Sequence, residues 1–326
     1  MEREISQRVI GVFMVAFFFF AANAIGQEKQ YPLRPINLHI GAAPGGAQGL
    51  TGTVIAESMK KYLKQPVIVN YKPGAGQGVA VDFIKNSSPD GYNILCVDLE
   101  ALAIKLILES GKLSFRYEDF EPIGAGPYFT ALLATNVESP WKTLDDLIAD
   151  ARKSPGKISL GNTGFGMGNH LKGQLLCAKS GINLNQIPYD GGGPLITALL
   201  GKHVDTGISN LTSMGPHVKG GGLRGLLVFH RERNAEFPSI PTSLEKGIGS
   251  AEVAYLGFLA PKGLPENVRV TLVEAFRQSL ENPEAKAGLA KLGGLGINYL
   301  NPSAINRQMA EYHEIYGEAW KTIPKK

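Results

Sequence analysis

Short apolar runs alternate with amphipathic stretches along most of the chain. The segment INLHIGAA (36–43) has the composition of a strand, and TGTVIAESMKKYLK (51–64) has the apolar spacing of a helix. The same order returns in PVIVNYK followed by VAVDFIKNS, and again in KISLGN followed by HLKGQLLCAKSG. Strands joined by helices in this way indicate parallel sheets. The pattern therefore predicts an α/β fold built from two similar units in succession.

Three strand-to-helix connections in this pattern look unusual, and each contains glycine. They span residues 43–49, 161–169 and 190–194. In parallel sheets such loops lie at the carboxyl ends of the strands, where ligands bind. The helices that follow them present N–H groups and a partial positive charge to the loop. This geometry favours an anion, either a carboxylate or a phosphate.

Several side chains in these loops could contact such an anion, and each also has a local explanation. Thr163 and Asn162 are the best donors, although they could instead close the loop on itself. His170 lies in the first turn of a helix, where it could donate to a ligand oxygen or pack and cap locally. Tyr189 could face the cleft or belong to the core, and Gln48 could donate at a helix start or be exposed.

The composition of the chain and the motifs that it lacks exclude several classes of function. Hydrophobic residues make up 44% of the 326 residues, and the net charge of +4 includes no run of five like charges. Nucleic acid is therefore not expected as a partner. The chain has no G-x-G-x-x-G in the right register, no P-loop, no G-x-S-x-G and no H-E-x-x-H. We expect no cofactor and no metal. The rival class is an enzyme acting on small anions, which would have to use His170 with Asp190 or Thr163.

The N-terminal segment is typical of secretion. The apolar run VIGVFMVAFFFFAA follows a weakly basic start and ends at Ala22-Asn23-Ala24, a small-x-small cleavage site. We expect a signal peptide over residues 1–24, with an uncleaved membrane anchor as the alternative; the run is short for a span of ~20 residues. Cys96 and Cys177 could then form a disulfide, but two separately buried thiols are the preferred interpretation because both lie in core-like segments.

Several sequence blocks together carry a resemblance to a known family. They include, in order, YPLRPINLHIGAAPGG, QPVIVNYKPGAG, SPDGYNIL, YEDFEPIG, GNTGFGMGNHL, IPYDGGGP and FPSIPTSLEKG. Over roughly residues 31–320 the chain resembles the substrate-binding proteins of tripartite tricarboxylate transporters, often called the Bug family. The resemblance implies a type II periplasmic-binding-protein-like fold, with two lobes that close on a small carboxylate.

The function implied by this resemblance is transport without catalysis. We expect a periplasmic receptor, a monomer, that presents its ligand to the membrane permease subunits of a tripartite transporter. A sensor that docks to a membrane signalling partner is the alternative. We expect lobe one to contain residues 28–130 and 252–326, because the C-terminal helices of this fold usually return to the first lobe, and lobe two to contain residues 131–251.

The resemblance also locates the ligand. The first loop and the second loop are expected to hold the carboxylate, with bridging waters. Together with the side chains considered above, the expected ligand-binding residues are Ala43, Pro44, Gly45, Gly46, Gln48, Asn162, Thr163, Gly164, Phe165, Gly166, His170, Tyr189 and Asp190.

The chain departs from the family pattern at three loop positions. Gly49 and Thr53 stand where the family usually has an acid and an arginine, and Met167 replaces a common hydroxyl residue. A citrate-like ligand fits these changes poorly. Met167 and Phe165 could instead line a pocket for a less polar acid, such as an aromatic monocarboxylate.

Two acidic residues follow the third strand of the first unit. Asp98 and Glu100 could repel a polycarboxylate and accept a ligand amine, or both could face solvent. The first alternative predicts a zwitterionic or amide-bearing ligand.

Overall fold

The computed structural model of the protein describes residues 30–42, 44, 47–249, 253–293 and 295–321. Its strands form two separate sheets. The first sheet has six strands in the order β11-β4-β10-β3-β1-β2. Their bounds are β1 Ile36–Ile40, β2 Val67–Tyr71, β3 Asn93–Asp98, β4 Phe120–Phe129, β10 Ala254–Pro261 and β11 Leu295–Leu300. The predicted signal peptide lies outside the described residues.

The second sheet has five strands in the order β7-β6-β8-β5-β9. The chain enters it at Thr130, directly after β4, and returns to the first sheet between β9 and β10. Two crossings of the chain therefore connect the sheets in the described residues. The strands are β5 Ala131–Asn136, β6 Ser159–Asn162, β7 Asn185–Pro188, β8 Thr206–Asn210 and β9 Leu223–Phe229.

Parallel pairing is present in both sheets, as the alternation of strands and helices predicts. In the first sheet β1 pairs in parallel with β2 and β3, and in the second β6 pairs in parallel with β7 and β8. Antiparallel strands complete each sheet: β10 runs against β3 and β4, and β5 runs against β8 and β9.

Helices cover both faces of each sheet, because each helix buries one apolar side. Around the first sheet, one buried cluster includes side chains of α1, α8 and α9, and a second includes those of α2, α3 and α10. On the second sheet, α4 and α5 share one cluster, and α6 and α7 share the other. The helices are α1 Ala47–Leu63, α2 Gly78–Lys85, α3 Leu99–Leu108, α4 Leu144–Lys153, α5 Gly168–Ser180, α6 Gly192–Leu200, α7 Leu211–Lys219, α8 Glu266–Glu281, α9 Pro283–Lys291 and α10 Pro302–Lys321.

The three C-terminal helices predicted from the sequence are present, and they return to the first sheet. Helix α8 packs on α1 and β4, and α10 packs on α3 and β4. Tyr312 fixes α10 to the chain just before β10, because its buried hydroxyl donates to the Val253 carbonyl oxygen.

Several elements are absent from the sequence prediction, namely α3, α7, β4, β5, β10 and β11. Helix α3 has the sequence LEALAIKLIL, which is apolar on nearly all sides and follows a strand with no glycine or proline between them. Such a run does not distinguish a buried helix from a buried strand by periodicity.

The cysteines are two separate thiols, with Cys96 buried and Cys177 partly buried. The interpretation without a disulfide is therefore confirmed, although only Cys96 is a core residue. In the part of the chain that the structure describes, no helix has both the length and the apolar character needed to span a membrane.

We predict that Tyr312→Phe lowers the free energy of unfolding by about 1–3 kcal/mol, because it removes a buried hydrogen bond and leaves a carbonyl without that donor. Urea denaturation of the mature chain measures this. Tyr117→Phe is the matched control, since the Tyr117 hydroxyl donates to Asn306 on the same helix at an exposed site; it should change the value by about 0.5 kcal/mol or less. Equal losses in the two variants would contradict the role given to Tyr312.

Candidate ligand-binding site

The loops predicted to bind the ligand follow β1 in the first sheet and β6 and β7 in the second. In the first loop, Ala43, Gly45 and Gly46 lie outside the described residues, and Pro44 is exposed. Gln48 lies in the first turn of α1 and is partly buried.

Gln48 is part of a hydrogen-bond network that joins three loops of the first sheet. Its Nε2 donates to Gln77 Oε1 at 2.9 Å and to the Cys96 carbonyl oxygen at 3.2 Å. Gln77 Oε1 also accepts from the Asp98 main-chain N–H at 2.9 Å. The Gln48 amide is thus a donor, as one of its two explanations proposed, but its partners are protein groups. The network fixes the loops after β1, β2 and β3 relative to one another.

Gln77 is a residue that the sequence analysis missed. It is buried and precedes α2 with a φ of 71°, a left-handed conformation that is uncommon outside glycine. A side-chain amide directly after the glycines of GAGQG was the available signal, because amide side chains can pair with loop main-chain groups.

Asp98 ends β3 and caps α3, with its carboxylate accepting from the Ala101 N–H at 3.0 Å. Burial, and next the nearby charge of Glu100, raise the pKa of Asp98 to about 7, against the opposing effects of the Ala101 hydrogen bond and the charge of Lys172. The carboxyl group therefore holds its proton to a higher pH than an ordinary aspartate does.

The Glu100 side chain does not face solvent, and its carboxylate is already paired within the protein. It is 6% exposed, and its Oε1 accepts from Lys172 Nζ and from the Tyr316 hydroxyl. Both proposals for Glu100 in the sequence analysis are wrong, because a lysine distant in the chain satisfies its charge. The argument for a zwitterionic ligand loses this support.

The glycine loop after β6 is closed mainly by its own residues. Asn162 is fully buried; its Oδ1 accepts from the Gly164 N–H at 3.1 Å and its Nδ2 donates to Gln186 at 3.2 Å. Gly164 and Gly166 have φ values of 134° and 75°, which side chains disfavour. These hydrogen bonds are the ones expected from the local explanation for Asn162, a loop that satisfies its own polar groups.

His170 also has its local role. It is 3% exposed, and its Nδ1 accepts from the Gly166 N–H at 3.2 Å. Burial lowers the pKa of the imidazole. Because Nδ1 accepts the Gly166 N–H, the neutral ring carries its proton on Nε2. The Phe165 ring is tilted against this ring, with the ring centroids 4.8 Å apart, and its centroid lies 6.5 Å from that of Trp320 in α10. Phe165 is 61% exposed, so most of this side chain remains in contact with solvent.

Thr163 retains a donor for a ligand. Its Oγ1 accepts from Asn169 Nδ2 at 2.8 Å, which leaves the hydroxyl hydrogen available. Met167 is partly buried directly before α5. Thr163 is thus the side chain of this loop best arranged to donate outward.

The loop after β7 contributes exposed groups. Tyr189 is partly buried, and its N–H donates to the Asn162 carbonyl oxygen at 2.9 Å, so the two loops are joined. Asp190 is exposed. In the neighbouring helix α7, Thr212 has a buried Oγ1 without a hydrogen-bond partner among the described residues. The hydroxyl pair in SNLTSM at this helix start was a signal that the sequence analysis did not use.

Metal ligands and a separate cavity are two further features of the described residues. Across the described ranges, no group of three or more His, Cys, Asp or Glu is placed to hold a metal ion. A cavity of about 520 Å³ lies beside the crossings and contains none of the predicted site residues; its lining includes Tyr128, His230, Tyr255, Asn298 and Arg307.

Comparison with known proteins identifies one family. A family model described as "Tripartite tricarboxylate transporter family receptor" matches residues 52–321. A protein of Cupriavidus necator, described as a UPF0065 protein in the gbd 5' region, is 34% identical over 83% of this chain and 82% of its own length.

Solved structures agree with this assignment. A TctC solute-binding protein from Polaromonas has a TM-score of 0.79 and 26% identity, covering 90% of this chain and 100% of that one. The periplasmic binding protein BugD has a TM-score of 0.74 and 30% identity, covering 89% and 98%. The predicted periplasmic-binding-protein-like α/β fold is confirmed. These relatives are solute-binding proteins and not enzymes, which also confirms the non-catalytic interpretation.

We predict that Asp98→Asn increases stability at pH 8 and leaves it nearly unchanged at pH 4. A folded pKa raised from 3.8 to about 7 means that the folded protein binds more protons than the unfolded chain between these pH values, so stability falls as pH rises through that window. Asparagine is neutral and keeps the capping oxygen. We expect a gain of about 1–3 kcal/mol in the free energy of unfolding at pH 8, discounted because the carboxyl is only partly buried.

The control for this prediction is Asp146→Asn at the start of α4. Hydrogen bonds from Thr143 lower the pKa of the exposed Asp146 carboxyl, so its stabilisation exists above its unfolded pKa and disappears as pH falls. This variant should lose stability at pH 8, the opposite sign. A loss at pH 8 in both variants, measured by urea denaturation, would show that Asp98 is a charged and well-paired cap.

Proposed function

The chain belongs to the tripartite tricarboxylate transporter receptor family, and from this premise we propose that it is a periplasmic solute-binding protein. It captures a small organic carboxylate between two lobes and delivers it to the permease of a tripartite transporter. The predicted signal peptide over residues 1–24 would direct it to the periplasm. The ligand class, the location and the partner are parts of this proposal.

The proposed lobes correspond to the two sheets with their helices. Residues 28–130 and 252–326 make lobe one, and residues 131–251 make lobe two. The support is that strands before Thr130 and after β9 pair within one sheet, while those between pair within the other. Two crossings are few enough to act as a hinge, and closure about a hinge is how such receptors enclose ligands.

The observation that carries the proposal is the glycine loop before α5. Gly164 and Gly166 allow a backbone path that other residues disfavour, and the loop leads directly into the N-terminus of a helix of 13 residues. Main-chain N–H groups and the helix dipole at such a point attract an anion. The available hydroxyl of Thr163 adds a side-chain donor beside them.

The charges at the site suggest which acids fit. Gly49 and Thr53 supply neither an acid nor a base where the family usually has them, and Asp98 would oppose a highly charged ligand when ionised. We therefore expect an acid with one or two carboxylates. Phe165 is 61% exposed, so this ring does not form an enclosed aromatic pocket. Two solved proteins of this fold, MatC from Rhodopseudomonas palustris and a second R. palustris protein, hold malate and adipate; at 23% and 22% identity they show the fold alone.

The experiment is a thermal-shift panel on the mature chain from Ile25. The panel contains malate, adipate, citrate, benzoate, aspartate and a neutral amide. A ligand at a hundredfold excess over its Kd stabilises by ~2.7 kcal/mol. We expect stabilisation by mono- or dicarboxylates and little by citrate or the amide. Stabilisation by the amide alone would refute the proposed class. If no compound acts, mass spectrometry of the denatured protein distinguishes a retained acid from a wrong class.

We predict that Thr163→Val weakens binding of the most stabilising acid of the panel about tenfold, because the ligand loses one donor while side-chain shape is retained. Isothermal titration measures the change. Thr271→Val is the control: the Thr271 hydroxyl donates to the Asn267 carbonyl oxygen within α8, away from the loops. Unchanged affinity in Thr163→Val, or an equal loss in both variants, would remove Thr163 from the site.

A further inference from the structure

A buried ion pair links the two sheets' helices beside the glycine loop. Lys172 of α5 and Glu100 of α3 pair with side chains that are 2% and 8% exposed. Among the ion pairs of the described residues, it is the one in which both side chains are less than a tenth exposed. Helix α5 follows a strand of the second sheet, and α3 follows a strand of the first, so the pair joins the two halves of the molecule.

A third side chain closes the cluster. The Tyr316 hydroxyl, on α10, donates to Glu100 Oε1, and Lys172 Nζ donates to the Tyr316 oxygen at 3.0 Å. Tyr316 is 1% exposed. Side chains of α3 and α10, which pack on the first sheet, therefore both contact Lys172 of α5, which packs on the second sheet.

Residues next to this cluster also pack closely against α3 and α10. Leu171, beside Lys172, is 1% exposed and lies in the apolar cluster of α3 and α10 instead of in its own sheet's core. A Cβ on Gly168 would collide with the Glu100 carboxylate, and one on Gly166 would lie 2.8 Å from Leu108. The glycine loop is thus shaped against α3 on one side while its Thr163 and main-chain donors form the candidate site.

Stability alone gives a weak reason for such a pair. Removing two charges from water is costly, and an apolar replacement of similar volume is often at least as stable. A buried pair with fixed partners does, however, specify one arrangement of the groups that carry it, because any other arrangement leaves a charge without a partner in a dry environment.

We propose that Glu100, Lys172 and Tyr316 are positioning residues for ligand binding, which fix the glycine loop against the first sheet's helices. The inference rests on the proposed function for its ligand. In the arrangement described here, the pair holds α5 against α3, and so sets the separation that the Thr163 loop has in this arrangement from the loops joined by Gln48 and Gln77. None of the three residues contacts the ligand in this account.

The test uses the mature chain with Lys172→Met, with Glu100→Gln and with both changes. Hydrogen–deuterium exchange without added ligand reports on amides 164–171, and titration with malate and with adipate reports affinity. We expect amide exchange at least tenfold faster and affinity at least tenfold weaker in Lys172→Met. The double variant leaves no charge without a partner, so its stability should recover while exchange and affinity stay altered.

The control is an exposed ion pair of the second sheet's half, Lys202 with Glu138, whose side chains are 57% and 68% exposed. Lys202→Met and Glu138→Gln should leave exchange and affinity within twofold. If Lys172→Met does not fold, Tyr316→Phe is used instead, because it keeps Lys172 paired with Glu100. This variant should speed amide exchange at residues 164–171 about threefold.

The outcomes separate this inference from the function it rests on. Unchanged exchange in the folded variants would overturn it, and so would a double variant whose affinity returns together with its stability, since the pair would then act on stability alone. If the unaltered protein binds no acid but exchange at residues 164–171 rises as expected, the ligand proposal fails and the fixing of the loop by the ion pair is supported.

Discussion

Buried main-chain polar groups at the ends of the strands are the constraint on which the rest of this structure depends. A main-chain group that is buried at such a point loses contact with water, so it needs a protein partner. One amide side chain meets this need in each sheet: Gln77 accepts from the Asp98 N–H, and Asn162 accepts from the Gly164 N–H. Because these amides are used in holding the loops, the donors left for the proposed ligand include main-chain N–H groups near the start of α5 and the Thr163 hydroxyl. A site built on such groups would recognise an anion through backbone geometry.

Negative charge near these loops would oppose the proposed anionic ligand. Asp98 lies at the N-terminus of α3, where burial and Glu100 raise its pKa to about 7. Glu100 is two residues further on and has its charge matched by Lys172. One carboxyl is thus partly neutralised by a proton and the other by a buried lysine. Lys172 lies on α5, which packs on the second sheet. The residue that pairs with the Glu100 charge is therefore also the one proposed to align the two sheets.

The candidate site shows where local sequence was informative. The glycine spacing of GNTGFGMG predicted a loop that needs unusual backbone angles, and the positive φ of Gly164 and Gly166 agrees. The sequence left two roles open for His170, and the structure places it as a local cap, because its Nδ1 has the Gly166 N–H within reach. The setting of Phe165 and the hydrogen-bond partners of Gln77 were not predictable, since Trp320, Gln48 and Asp98 are distant from them in the chain.

The sequence by itself determined the alternation of strands and helices, the parallel pairing that follows from it, the three C-terminal helices and the family. These properties come from periodicity, turn residues and the order of short motifs, which act over a few residues and are visible in one dimension. Only the tertiary structure decided that LEALAIKLIL is a helix, that β10 and β11 complete the first sheet, and that Glu100 is neutralised inside the protein. The physical reason is that a charge responds to whatever surrounds it in space, and Lys172 is 72 residues away in the chain.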